Sequence, residues 1–149
     1  MPLRDVLESD LPILFEHQRD PAAGHMAAFP ARAWDAFVTH WRVKVLGDAT
    51  AGKKAILVGG AVAGHVGSWN QEGKRLVGYW IGRDHWGRGV ATAALSEYLQ
   101  LETLRPLHAH VAAHNVGSIR VLEKSGFGRV EEGQSPPDGV EELLFRLDR

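Results

Sequence analysis

The run from Leu76 to Leu95, LVGYWIGRDHWGRGVATAAL, constrains this chain more than any other stretch. Leu76 to Ile81 has the character of a strand. Gly82 to Gly89 is a turn-rich loop, and Val90 to Leu104 is an apolar helix that the loop enters directly. Glycine lets a backbone approach a ligand closely, and the first amides of a helix point outward without partners at the positive end of its dipole. The combination suits a phosphate or pyrophosphate, with Arg88 placed to add a charged contact. A plain strand–helix turn would carry the same spacing. The dinucleotide fingerprint fails because Thr92 stands at the third glycine, and a Walker A loop fails because no Gly-Lys-Ser/Thr triplet occurs.

The surrounding pattern is a mixed α/β (α+β) domain. Leu3 to Val6 reads as a strand, and Ser9 or Asp10 as the cap of a helix that Pro21 stops. Pro30 precedes a second helix, in which Trp34, Phe37, Val38 and Trp41 share one face. Ala55 to Val58 and Val62 to Trp69 form a hairpin joined at Gly59-Gly60, and Arg75 to Ile81 follows as the next strand. Leu107 to Ala113 is a strand, Asn115 to Lys124 a helix ended by Ser125-Gly126, and Phe127 to Glu132 and Val140 to Leu147 are closing strands. The expectation is a twisted mixed sheet of about six or seven strands with about four helices on its faces. With 149 residues and no internal repeat, residues 1–149 read as one domain.

Composition removes several functions. Without cysteine there are no disulfides, thiolate metal sites or cysteine nucleophiles. A formal charge of −1 argues against nucleic acid or an anionic membrane as partner. The longest stretch free of charged side chains, Ala55 to Gln71, is glycine-interrupted and too short to span a bilayer, so a cytoplasmic location is expected. His108, His110 and His114 sit close in sequence, but no zinc-binding motif accompanies them, and no metal is expected.

Trp86 to Ala91, WGRGVA, resembles the acetyl-CoA motif Q/R-x-x-G-x-G/A of the GNAT N-acetyltransferases. Downstream, Asn115-Val-Gly-Ser118-Ile-Arg-Val-Leu122-Glu-Lys-Ser-Gly126-Phe127 resembles the next motif of that superfamily. It is most similar to the branch that includes the ribosomal-protein N-terminal acetyltransferases. Four positions depart from the pattern. Trp86 replaces Gln/Arg, Ala91 replaces the second glycine, Leu122 stands where many relatives carry a tyrosine, and Leu76 stands near a frequent glutamate.

The resemblance implies direct acetyl transfer from acetyl-CoA, as cosubstrate, to a primary amine of a small molecule or a peptide N-terminus. A non-catalytic CoA-binding or regulatory module on the same fold is the alternative, and a homodimer is left open. By resemblance, the backbone of Tyr79, Trp80 and Ile81 faces the acetyl group and pantetheine arm. Gly87, Arg88, Gly89, Val90, Ala91 and Thr92 wrap the pyrophosphate, and Asn115 contacts the pantetheine or the adjacent site. Ser118 is the expected hydroxyl near sulfur. The base is sought among Glu72, Asp84, His85, His110 and the late-loop Asp138, with Asp138 paired to Ser118 as the catalytic set. Three substitutions carry expectations: Leu122→Tyr should be tolerated, and raise the transfer rate if its position faces the sulfur; Ser118→Ala should slow transfer by roughly tenfold or more if the hydroxyl serves as acid; and Gly89→Val should block phosphate while leaving the helix intact.

Overall fold

The computed structural model describes residues 3–27, 31–130 and 142–149. Seven strands form one mixed sheet: β1 (Leu3–Asp5), β2 (Gly52–Val58), β3 (Ala61–Gln71), β4 (Lys74–Ile81), β5 (Leu107–Ala112), β6 (Gly128–Val130) and β7 (Glu142–Leu147). Their spatial order is β1-β2-β3-β4-β5-β7-β6. The helices are α1 (Leu11–Arg19), α2 (Pro21–Ala27), α3 (Trp34–His40, extended by a wide turn over Trp41–Val45), α4 (Val90–Leu101) and α5 (Val116–Lys124). Among the described residues, no helix is long and apolar enough to cross a membrane.

Two element readings are corrected. Pro21 does not merely stop a helix; it opens α2. Proline tolerates the first helical position, where its missing N–H is not needed, and the Asp20 carboxylate accepts the Ala22 N–H at 3.0 Å to cap the turn. The helix after the glycine loop ends at Leu101 rather than Leu104, where the Glu102 backbone turns extended. Pro30, Asp138 and the segment from Glu131 to Glu141 lie outside the described residues.

Side chains alternate across β3 and β4, and the antiparallel register pairs Val66 with Tyr79, His65 with Trp80 and Gly64 with Ile81. Val66, Val77 and Ile81 belong to the core that also takes Val90, Ala94 and Leu95 of α4 and Leu122 of α5. The opposite face supports a second core of Leu11, Leu14, Phe37, Val38, Trp41 and Ala55. In α3, Phe37, Val38 and Trp41 are buried as the helical spacing requires, while Trp34 remains 43 % exposed beside Phe15.

The feature that positions the site is the β4–β5 junction. These strands run parallel but pair only at Arg75–Leu107 and Leu76–His108. Beyond Leu76 they diverge, so the ends of both strands frame an opening between the two layers of helices.

Candidate active site

The opening leads into a cavity of ≈ 610 Å³ walled by the end of β4, the loop after it, and the first turns of α4 and α5. Gly89 caps α4 with φ +74, and Gly87 shares that left-handed backbone. A methyl group built on either glycine would meet nothing within 4 Å, so the loop turns its bare side to open space. The first backward helical bond is Ala93 N–H to the Gly89 carbonyl at 3.0 Å. The amides of Val90, Ala91 and Thr92 therefore have no intrahelical acceptor, and no side chain caps them. Arg120 and Lys124 of α5 line the same cavity and add positive charge.

Trp86 explains one departure from the motif. Its indole N–H donates to the Ile81 carbonyl at 2.9 Å, bracing the loop against the strand end that β5 has left unpaired.

Facing this loop is a hydroxyl pair. Strand alternation turns Tyr79 toward α5, where its hydroxyl and that of Ser118 share a 2.6 Å hydrogen bond. Burial pushes the Tyr79 phenol up to about 12, so it stays protonated at neutral pH. Asn115 caps α5, its Oδ1 accepting the Ser118 N–H at 3.2 Å, and thereby fixes where the serine stands. The sequence pointed to Tyr79 for its backbone and missed its hydroxyl.

Tyr79, Trp80, Ile81, Gly87, Gly89, Val90, Ala91, Thr92, Asn115 and Ser118 all line the cavity. The Arg88 side chain is exposed and is not part of that lining. Asp138 lies outside the described residues. Of the other base candidates, His85 lines the cavity. Glu72 sits in the turn at the far end of β4, and His110 Nδ1 of β5 meets Glu142 Oε1 of the neighbouring β7 at 2.9 Å. Ala23 and Met26 of α2 also reach the cavity; an element hidden from the sequence reading carried them. Among the described residues, no group of three His, Asp or Glu side chains is arranged to hold a metal ion.

Leu122 requires a correction. It is 2 % exposed and packed in the core rather than facing the cavity, whose α5 wall is Gly117, Ser118, Arg120, Val121 and Lys124. A tyrosine there has no room. Leu122→Tyr is expected to destabilise by about 1–3 kcal/mol through overpacking, read as a lower melting temperature without faster catalysis. The expectation for Gly89→Val also changes. At φ +74 a branched side chain strains the backbone, so the protein's stability will fall along with ligand binding.

The profile of the acetyltransferase (GNAT) domain matches residues 1–128. No curated protein sequence matches the chain. Among solved structures, the aminoglycoside acetyltransferase AAC(6')-Ib in complex with coenzyme A superposes with a TM-score of 0.81 at 18 % identity, covering 99 % of this chain and 94 % of that one. Spermidine N-acetyltransferase from Vibrio cholerae, in complex with CoA and spermine, gives 0.80 at 16 % identity over 99 % and 94 %. An acetyltransferase from Agrobacterium tumefaciens gives 0.76 at 23 % identity over 99 % and 90 %. At these identities the likeness is one of fold.

Proposed function

The chain belongs to the GNAT acetyltransferase family, and from that premise we propose that its cavity binds acetyl-CoA and an amine together and passes the acetyl group directly between them. The observation that carries this reading is the meeting of two features in one cavity: a bare glycine loop with unpartnered helix amides, and a partly buried hydroxyl pair opposite it.

The donor set fits the cosubstrate. Amides of Gly87 to Thr92 would bind a pyrophosphate, and Arg120 and Lys124 would neutralise charge along it. When bound, acetyl-CoA supplies a thioester carbonyl open to attack by an amine. Ser118, held by Asn115 and backed by the protonated Tyr79, keeps a proton available where the sulfur leaves. His85 is the described imidazole in the lining, and it takes the proton that the acceptor must lose.

An α-amine, whose ordinary pKa is about 7.7–8.0, needs little help at neutral pH, whereas a lysine-like amine near 10.4 needs a base with somewhere to send the proton. The relatives of this fold include proteins named for aminoglycoside and spermidine acetylation, which supports a small-molecule amine as acceptor. The Asn115-x-x-Ser118 pattern with Gly126-Phe127 supports the ribosomal-protein N-terminal branch, and hence a peptide α-amine. An acceptor screen with acetyl-CoA, read by mass spectrometry, decides between them. Acetylated amine must appear together with free thiol, and no acetylated protein may accumulate as an intermediate. Thiol release independent of any amine contradicts direct transfer.

A further inference from the structure

The short helix α2 is tied at both ends to the strands whose divergence opens the cavity. At its start Asp20, the residue before Pro21, pairs at 3.5 Å with Arg83 of the turn that follows β4. At its end the tie comes from His114, in the turn that follows β5. His114 Nε2 stands 2.6 Å from the His25 carbonyl oxygen, and the two imidazole rings lie 4.9 Å apart, tilted by 30°. Between the ties, Ala23 and Met26 line the cavity.

The chemistry of the His114 tie is definite. A carbonyl oxygen can only accept, so the proton of this bond sits on Nε2 of His114. The helix ends at Ala27, two residues beyond His25, so the His25 carbonyl is among the last four and receives no N–H from within the helix. An imidazole donor there satisfies that carbonyl and fixes the end of a seven-residue helix, which is too short to hold its shape alone.

The cavity has two sides. The glycine loop, α4 and α5 wall one of them and share the core beneath it. The helix α2 belongs to the other, since it follows α1, whose Leu11 and Leu14 pack in the second core on the opposite face of the sheet. With acetyl-CoA held between the glycine loop and Ser118, the side under α2 is the one left for the amine.

We propose that His114 is a positioning residue for the acceptor: it holds α2, and with it Met26, across the side of the cavity from which the amine meets the thioester. This rests on the acetyltransferase reading above. The contribution of the tie is order. A loosened α2 must be ordered again each time an acceptor binds, and that cost falls on acceptor affinity. Acetyl-CoA, gripped by the amides from Gly87 to Thr92 on the other side, does not bear it. The neighbouring Asn115 caps α5 through its own side chain, so the cap that fixes Ser118 does not use the His114 ring.

The test separates the donor from the ring. His114→Gln keeps an amide N–H near the place of Nε2 and removes the ring, His114→Phe keeps a ring without the donor, and His114→Ala removes both. The side chain is exposed, and a melting curve accompanies each variant. Acetyl transfer from acetyl-CoA is measured with spermidine, kanamycin and trialanine as probes, and hydrogen exchange is followed over residues 20–27. His114→Phe and His114→Ala are expected to raise KM by roughly threefold to tenfold for each probe that the wild type acetylates, the ratio one ordinary hydrogen bond carries. KM for acetyl-CoA should stay within about twofold, while exchange quickens in α2 and not in α5. His114→Gln should bring acceptor KM and exchange back to within about twofold of the wild type. Acceptor KM unchanged in all three variants would overturn the proposal. So would KM for acetyl-CoA rising in step with it, or His114→Gln failing as His114→Ala does. Wild-type protein that releases no thiol with any of the three probes would instead overturn the transferase reading itself.

Discussion

Gly89→Val is expected to lose at least a hundredfold in CoA affinity, and the cause can be separated from its effect on the fold. Gly89 sits at φ +74 with nothing within 4 Å of an added side chain. Valine there brings two consequences. A left-handed backbone disfavours a branched residue by about 2 kcal/mol, or a melting temperature lower by about 4–8 °C for a domain of this size. It also places methyl groups beside the amides of Val90, Ala91 and Thr92, where the pyrophosphate would lie, removing charge-assisted bonds whose loss amounts to about 3 kcal/mol. Gly73→Val is the matched control. Gly73 has φ +77 and equally open surroundings, but lies in the turn before Lys74, at the opposite end of β4 from the cavity. Both variants should melt earlier by similar amounts, and titration calorimetry should find CoA affinity lost in Gly89→Val alone. If Gly89→Val binds CoA as Gly73→Val does, the loop is only a turn.

Ser118→Ala and Tyr79→Phe should each slow acetyl transfer by roughly tenfold to a hundredfold, the range expected for losing a positioned proton donor. The two hydroxyls share one 2.6 Å bond, so they act as a unit, and the double variant should be little worse than the more damaged single one. KM for acetyl-CoA should change little, because neither hydroxyl belongs to the glycine loop. Pre-steady-state thiol release with a neutral acceptor amine gives the cleanest readout. A rate unaltered in both single variants would assign sulfur protonation to solvent.

The glycine loop was legible in the sequence because every determinant is local: an apolar strand, Gly87 and Gly89, then a helix without a capping side chain. The Asn115–Ser118 cap was legible for the same reason. What escaped were relations between distant segments. Strand alternation puts Tyr79 on the same face as Val77 and Ile81, but only the placement of α5 shows that its hydroxyl reaches Ser118. Helical spacing from Ser118 would bring Leu122 near the cavity, yet in the fold that wall belongs to Arg120, Val121 and Lys124, and Leu122 packs in the core with Phe127. Pro21 looks like a stop in the sequence because proline ends helices more visibly than it begins them, and the Asp20 cap that makes it a start is a single side chain.

A crystal structure of the protein with CoA tests the central claim most directly. The account predicts the pyrophosphate within hydrogen-bond distance of the amides between Gly87 and Thr92, the pantetheine arm running between the diverging ends of β4 and β5, and the sulfur beside the Ser118 hydroxyl. CoA seated elsewhere, for instance among Arg129, Arg146 and Arg149 on the outer strands, with the glycine loop untouched, would contradict it.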